Sequence, residues 1–305
     1  MKVQNISTKT NLDSLCYNTF QFGFHPLFYF QRARGDIFVI EDNDVTLVCS
    51  NRLDVKKFII IRPIGNIASI VNTLKKLSSH FIDEYGFFYI KYANEELKTI
   101  LNNEFNISFD FFWSGNSLFD DETYPQIQYD LMEVNDIAIS KRSKHRWIRQ
   151  CIKSFKSSIY HKKLVYSQIE FEKLLNFSKI NVPKSIKNKI QSLNEFYGFV
   201  NSTFDGITKY NKNIDFHIFL NNLDEIVGIL ISAHKEAHVD VYFLSHKNLP
   251  KLSTFILVTV MKYYLDKGAS YFCVGGSETE SLHLFKEQLL LECRKTSTFL
   301  IKIMS

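Results

Sequence analysis

Few residues in this sequence interrupt regular structure. Five prolines and eleven glycines in 305 residues exclude collagen-like repeats and proline-rich low-complexity disorder. The five cysteines (Cys16, Cys49, Cys151, Cys273 and Cys293) are odd in number, widely spaced and form no CxxC pair. That pattern argues against a disulfide scaffold and favours reduced thiols in the cytoplasm. No apolar run is long enough to span a bilayer, and the longest helical candidate, Leu252–Leu265, carries Lys262. The N-terminal MKVQNISTKTNLDSL lacks the apolar segment of a secretory signal. A soluble cytoplasmic protein is the expectation. Also missing are a GxSxG elbow, a Walker loop, a Rossmann fingerprint and a thiol–histidine signature. His234 and His238 have the i, i+4 spacing of a helical metal pair, but they flank a strand hairpin, so no metal site is expected.

What is present is core-forming. Apolar residues make up 45% of the chain, with 28 phenylalanines and 15 tyrosines, and the net charge is a mild +5. Asp36–Glu41, Val45–Ser50 and Lys57–Arg62 read as a strand meander, with Asp42-Asn43-Asp44 as its first turn. Asn66–Phe81 has helical apolar spacing, Gly86–Lys91 reads as a strand, Asn94 caps a short helix through Asn102, and Phe109–Trp113 and Gln126–Glu133 read as strands. Phe22–Phe30, with Pro26 inside it, reads as an edge or entry segment. The second half repeats this order. Leu164–Gln168 is a strand and Phe171–Phe177 and Lys184–Phe199 are helices. Gly206–Tyr210, Asp215–Asn221, Glu225–His234 and Val239–Ser245 are strands. A helix runs from Pro250 to Asp266, and Thr296–Ile303 closes the chain as a strand. The fold class expected is α+β, with mixed, mostly antiparallel sheets in two copies. The domains expected are residues 1–135 and 164–305, joined by a basic helix over 136–163.

Two stretches carry chemistry. In Tyr271–Leu291 a short apolar strand meets Gly275-Gly276, then a helix opens with Ser277 and Glu280 at capping-box spacing. Leu282, Phe285 and Leu289 form its apolar stripe, with Lys286 at the edge. Gly275, Gly276, Ser277 and Glu278 are candidate substrate-binding residues, because backbone N–H groups at a helix start favour anionic groups. Lys286 is a candidate cation for charge developing on a carbonyl oxygen. A strand-to-helix turn with a snorkelling lysine needs the same residues. The second stretch, Lys141–Lys163, holds nine basic residues and no acidic one, with Trp147, Ile148, Cys151, Ile152 and Phe155 on one helical face. Lys141, Arg142, Arg146 and Arg149 are the candidates there for gripping nucleic-acid phosphates. Contact with an anionic membrane and a simple solvated face also fit. Candidate general bases are His217, His234, His238, His246, His283, Glu278 and Glu280. His217, on a strand, is carried forward as the catalytic candidate.

The element order over about residues 25–303 resembles two GNAT-like (acyl-CoA N-acyltransferase fold) domains in tandem. ISKRSKHRWIRQCIKSFKSS (Ile139–Ser158) is similar to the S-K-x-x-R stretch at the domain junction of the FemABX peptidyltransferases and the related lysyl-phosphatidylglycerol-synthase-type and BioF2-like acyltransferases. VGGSETESLHLFKEQL (Val274–Leu289) is similar to their G-G-x-x-x-x-x-L-x-x-F-K run. The resemblance implies an acyltransferase that moves an aminoacyl or related acyl group to an amine or hydroxyl acceptor held in a cleft between the halves. It also implies a charge-stabilising role for Lys286. The chain departs from the acetyl-CoA enzymes of this fold at Ser245–Leu252, SHKNLPKL, where their glycine-rich pyrophosphate loop would fall. No tightly bound cofactor is expected. Aminoacyl-tRNA is the favoured donor and acyl-CoA the alternative. A non-catalytic GNAT-like module that binds RNA or protein is the reading from outside enzymology.

Overall fold

In a computed structural model, the structure describes residues 2–6, 12–15, 23–33, 36–52, 57–110, 125–168, 170–182, 190–276, 280–290 and 292–304. In chain order the elements are β1 (Lys2–Asn5), α1 (Leu27–Arg32), β2 (Asp36–Asp42), β3 (Val45–Arg52), β4 (Lys57–Ile64), α2 (Ile67–Tyr85), β5 (Phe87–Ala93), α3 (Glu95–Glu104) and β6 (Asn106–Asp110). They continue with β7 (Gln126–Asp130), α4 (Glu133–Ile139), α5 (Ser143–Phe155), β8 (Ile159–Leu164), α6 (Phe171–Ile180) and α7 (Ile190–Lys209). The chain then forms β9 (Ile214–Asn221), β10 (Ile226–Lys235), β11 (His238–His246), α8 (Leu252–Leu265), β12 (Tyr271–Cys273), α9 (Glu280–Glu287), β13 (Cys293–Thr296) and β14 (Phe299–Met304).

Two seven-stranded sheets result, ordered β1-β2-β3-β4-β5-β14-β6 and β13-β7-β12-β11-β10-β9-β8. Read from opposite ends, the two orders match position for position. In each sheet one strand pair is parallel, β4 with β5 and β11 with β12, and the other pairs are antiparallel. The match includes an exchange. β14, from the end of the chain, lies between β5 and β6, while β7, from the first half, lies between β12 and β13. The compact units are accordingly Met1–Thr19, Gly23–Asn116 and Ser297–Ser305 for the first, and Phe20–Phe22 with Ser117–Thr296 for the second. These bounds differ from 1–135 and 164–305. Strand alternation specifies which face is buried but not which sheet supplies the partner, so the exchange leaves no local signature. Residues 136–163 also do more than join domains. They form most of α4 and β8 and all of α5, and α4 and α5 pack into the second unit's core.

Local chemistry explains most boundaries. The Asn66 side chain accepts from Ala68 N at 2.9 Å to start α2, and Gly86, at φ 77°, ends it. Asn94 accepts from Leu97 N at 2.8 Å to start α3. α8 buries Leu252, Phe255, Ile256, Leu257, Val258, Val260 and Met261, as a helix apolar on all sides must. Gly228 in β10 lets it approach the sheet, since a Cβ there would meet Ile256 Cδ1 at 2.4 Å. Three expectations are corrected. Leu164 ends β8, and Tyr166–Gln168 form a short 3-10 turn rather than a strand. Gly206–Tyr210 belongs to the last turn of α7 and the residue after it, because Phe196, Val200, Phe204 and Ile207 form one buried helical stripe. Pro26 directly precedes α1, where its missing N–H costs nothing, so Phe22–Phe30 is no edge segment over its described residues. Phe111–Trp113, Asp120–Glu122 and the first residues of the Lys184–Phe199 helix lie outside the described residues. The described cysteines, Cys49, Cys151, Cys273 and Cys293, are free thiols. Among the described residues no helix is long and apolar enough to cross a membrane.

Candidate functional site

The second sheet opens between β11 and β12. The pair is parallel over three residues, His238 with Tyr271, Val239 with Phe272 and Asp240 with Cys273. Beyond that, β11 continues to His246, while β12 gives way to Val274, Gly275 (φ 67°) and Gly276. The carboxyl ends of such a parallel pair leave a crevice where ligands of open α/β sheets bind.

Three polar side chains of β11 run along this pair toward the opening: His238 at its amino end beside Tyr271, Asp240 at its last paired residue beside Cys273, and Tyr242 just beyond. His238 and Asp240 alternate with Val239 and Val241, which pack against the α8 side of the core. The register with β10 runs Ser232 to Val241 and Ile231 to Phe243, so Tyr242 is an extra residue at a bulge. His238 Nε2 lies 3.0 Å from Asp240 Oδ1, and the Tyr242 hydroxyl donates to Asp240 Oδ2 at 3.0 Å. All three residues are buried, Asp240 at 0% exposure. With Nε2–H donating to the carboxylate, the neutral tautomer of His238 has Nδ1 as its basic nitrogen. The first sheet differs at the equivalent place. There β4 and β5 pair over Phe58–Ile60 and Phe88–Ile90, and buried Arg62 follows. Its guanidinium donates to Gly23 O at 2.8 Å and sits 4.6 Å over the Phe28 ring. That opening is occupied by a cation and aromatic rings, whereas the pair in the second sheet carries an acid, an imidazole and a phenol.

The Gly275-Gly276 turn is held from two sides. β7 extends the ladder along it, with Val274 N donating to Ile127 O and Ile127 N donating to Gly275 O. Lys286, half-buried on α9, donates Nζ to Gly276 O, and the Tyr129 hydroxyl donates to the Lys286 carbonyl. Lys286 is thus anchored to the turn it was expected to serve beside. Ser277 and Glu278 lie outside the described residues, as does the side chain of Glu280.

His217 is elsewhere. It points to the face of the sheet under α8, opposite to Asp240, and is fully buried. Its Nδ1 is 2.9 Å from His161 Nε2, its Nε2 is 3.2 Å from the Tyr264 hydroxyl, and the two imidazoles stack. Tyr264 donates to Asp215 at 2.8 Å, and Ser232 Oγ is 2.8 Å from the same hydroxyl. Burial, then the nearby His161, pushes His217 down to about 3, and burial lowers His161 to about 4. Burial opposes ionisation of Asp215, but hydrogen bonds from His234, Lys163 and Tyr264 outweigh it and hold the carboxyl below its usual range. Both His217 nitrogens are committed inside this network.

The basic tract divides by partner. Arg149 Nη1 donates to Ile137 O and Ser140 O, the carbonyls that end α4, and Lys144 Nζ donates to Leu290 O beyond α9. Lys141, Arg142 and Arg146 are exposed. Among the described residues no group of three His, Cys, Asp or Glu side chains is placed to hold a metal ion. The residues that sequence reasoning passed over are Asp240 and Tyr242. Their signal was the alternation His238-Val239-Asp240-Val241, which puts a histidine and a carboxylate on one strand face.

No family model and no curated protein matches the sequence. Solved structures do. L-PGS from Bacillus licheniformis shares 10% identity at a TM-score of 0.62, with 91% of this chain and 86% of that one covered. FemX shares 8% identity at a TM-score of 0.58, covering 88% and 87%. A tandem GNAT protein from the clavulanic acid biosynthesis pathway shares 6% identity at a TM-score of 0.53, covering 99% and 97%. The chain has the tandem GNAT fold, two GNAT-like α+β domains. Its structural neighbours are those of the group that the two sequence motifs resemble.

Proposed function

We propose that this chain transfers an aminoacyl or related acyl group to an amine or hydroxyl acceptor, along the β11–β12 pair of the second unit. The observation that carries the reading is the buried His238–Asp240–Tyr242 array, which runs along a parallel strand pair from its amino end to just past its carboxyl end. The fold, shared with L-PGS and FemX, supports it.

In this reading Asp240 fixes the His238 tautomer and orientation. His238 Nδ1 takes the proton from the acceptor as its nitrogen or oxygen attacks the donor carbonyl carbon. The carbonyl–leaving-group bond then breaks, and the same proton passes to the departing group. The Gly275-Gly276 turn lies four residues further along than the level of His238, roughly 10 Å or more by strand rise, so its backbone N–H groups hold a distal anionic part of the donor. Lys286 acts through the turn by fixing the Gly276 carbonyl.

A donor other than acyl-CoA is favoured by the segment before α8. A pyrophosphate cradle needs several free backbone amides. Pro250 has none, Leu249 N donates to Lys247 O at 2.7 Å, and Leu252 N donates to Leu249 O at 3.2 Å. Thermal shift separates the donors. An aminoacyl ester should raise the melting temperature by linkage while CoA thioesters at millimolar concentration leave it unchanged. Stabilisation by the thioesters alone refutes the donor assignment.

A further inference from the structure

The outward surface of α4 and α5 combines two features that rarely coincide on a solvated face. α5 turns His145, Ile148 and Cys151 into the core. On a helical wheel its outward arc runs from Trp147 through Ser143 and Gln150 to Arg146, Lys153 and Arg142. Lys141 precedes it, and all three of Lys141, Arg142 and Arg146 are exposed. The apolar residues beside these cations also face outward. Ile139, the last residue of α4, is 81% exposed, Met132 at its start 61%, and Trp147 39%. Met132 and Ile139 stand two turns apart, on one side of α4. Arg149, bonded to Ile137 O and Ser140 O, holds the end of α4 against α5. Ile139 therefore flanks the basic arc on one side and Trp147 flanks it on the other. Acidic residues close by are Asp130, Glu133 and Asp136 on the α4 side and Glu287 and Glu292 near α9.

We infer that this face docks the protein on an anionic lipid bilayer. A phosphate backbone needs only the cations and gains nothing from an exposed isoleucine and methionine. A lipid interface uses both. The cations draw the surface to anionic headgroups, Trp147 sits at headgroup level, and Ile139 and Met132 enter the acyl boundary. The docking is peripheral and independent of the acyl-transfer reading, since none of these residues belongs to the β11–β12 site.

The test is co-sedimentation of the full chain with phosphatidylcholine vesicles, with and without one-third phosphatidylglycerol, at physiological ionic strength. Binding to the anionic vesicles alone is expected. R142Q/R146Q should weaken it about 25-fold, at roughly five-fold per cation. I139S/W147S, with the charge untouched, should weaken it at least ten-fold, roughly what losing two interfacial apolar side chains implies. Vesicles should also shift the tryptophan emission to the blue in wild type but not in W147F. All these positions are exposed, so an unchanged melting temperature verifies folding. Equal binding to neutral vesicles overturns the inference. So does binding insensitive to I139S/W147S, or a salt-sensitive preference for RNA that survives loss of Ile139 and Trp147.

Discussion

Replacing Asp240 with asparagine changes one atom in the array and should separate chemistry from folding. Asp240 is fully buried and accepts from His238 and from Tyr242 at 3.0 Å each. Asparagine keeps the shape, but its amide presents one oxygen and one NH2. One of the two donors is then left facing another donor. A hydrogen bond to a charged group contributes about 1.5–3 kcal/mol, offset here by the cost of burying the carboxylate. The expected net loss is about 1–2 kcal/mol, roughly 2–8 °C in melting temperature for a unit of this size. The activity loss is larger. Without the carboxylate, His238 loses the tautomer that places its basic nitrogen at Nδ1, and a misoriented general base costs roughly 10²–10⁴ in kcat. The assay is steady-state transfer to an amine acceptor, run well below the melting temperature of the variant. A fall in kcat of at least a hundred-fold with KM nearly constant supports the mechanism. A kcat within three-fold of wild type refutes it.

Other consequences follow from the same contacts. His161 and His217 have folded pKa values of about 4 and about 3, below the ordinary 6.5, so protonation favours the unfolded chain. Stability from this pair is complete above pH 6.5 and falls below it, by about 2.7 kcal/mol per pH unit between roughly 6 and 4. Thermal denaturation across that range should show the slope, and H161Q/H217Q should flatten it while leaving kcat intact. Lys286→Met releases Gly276 O, so KM for the donor should rise about ten-fold with a lower melting temperature. Lys286→Arg should restore both. No effect of Lys286→Met on either quantity removes it from the site. Arg149→Ala strips two bonds from the end of α4 and should cost about 1–2 kcal/mol. Arg146→Ala should leave the calorimetric transition in place.

How much of this was readable depended on the range of the interaction. The caps at Asn66 and Asn94 and the strands at Asp36, Val45 and Lys57 are set by neighbours within a few residues, and they stand where pattern and spacing put them. The exchange of β7 and β14 depends on pairing across more than a hundred residues, between strands such as Ile301 and Ile90, and no local preference encodes it. Gly206–Tyr210 reads locally as a strand, while the buried Phe204 and Ile207 hold the α7 helix through Gly206. His217 and His238 were not separable in sequence, one within and one beside an apolar strand. What separates them is which face α8 covers, a tertiary fact. Lys286 was legible as a helix-edge lysine, but its bond to Gly276 O was not. The basic tract was legible as amphipathic. That Arg149 and Lys144 are spent on helix-terminal carbonyls, leaving Lys141, Arg142 and Arg146 exposed, needed coordinates.

The central claim is that His238, on the β11–β12 parallel pair, takes the acceptor proton during acyl transfer from a donor other than CoA. The direct measurement follows label from an aminoacyl ester, and separately from acetyl-CoA, onto a panel of amines and hydroxyls, for wild type and for His238→Gln. The account predicts transfer from the aminoacyl ester and none from acetyl-CoA. It also predicts at least a hundred-fold loss in His238→Gln with the fold intact. Undiminished transfer in His238→Gln, or label arriving only from acetyl-CoA, would contradict it.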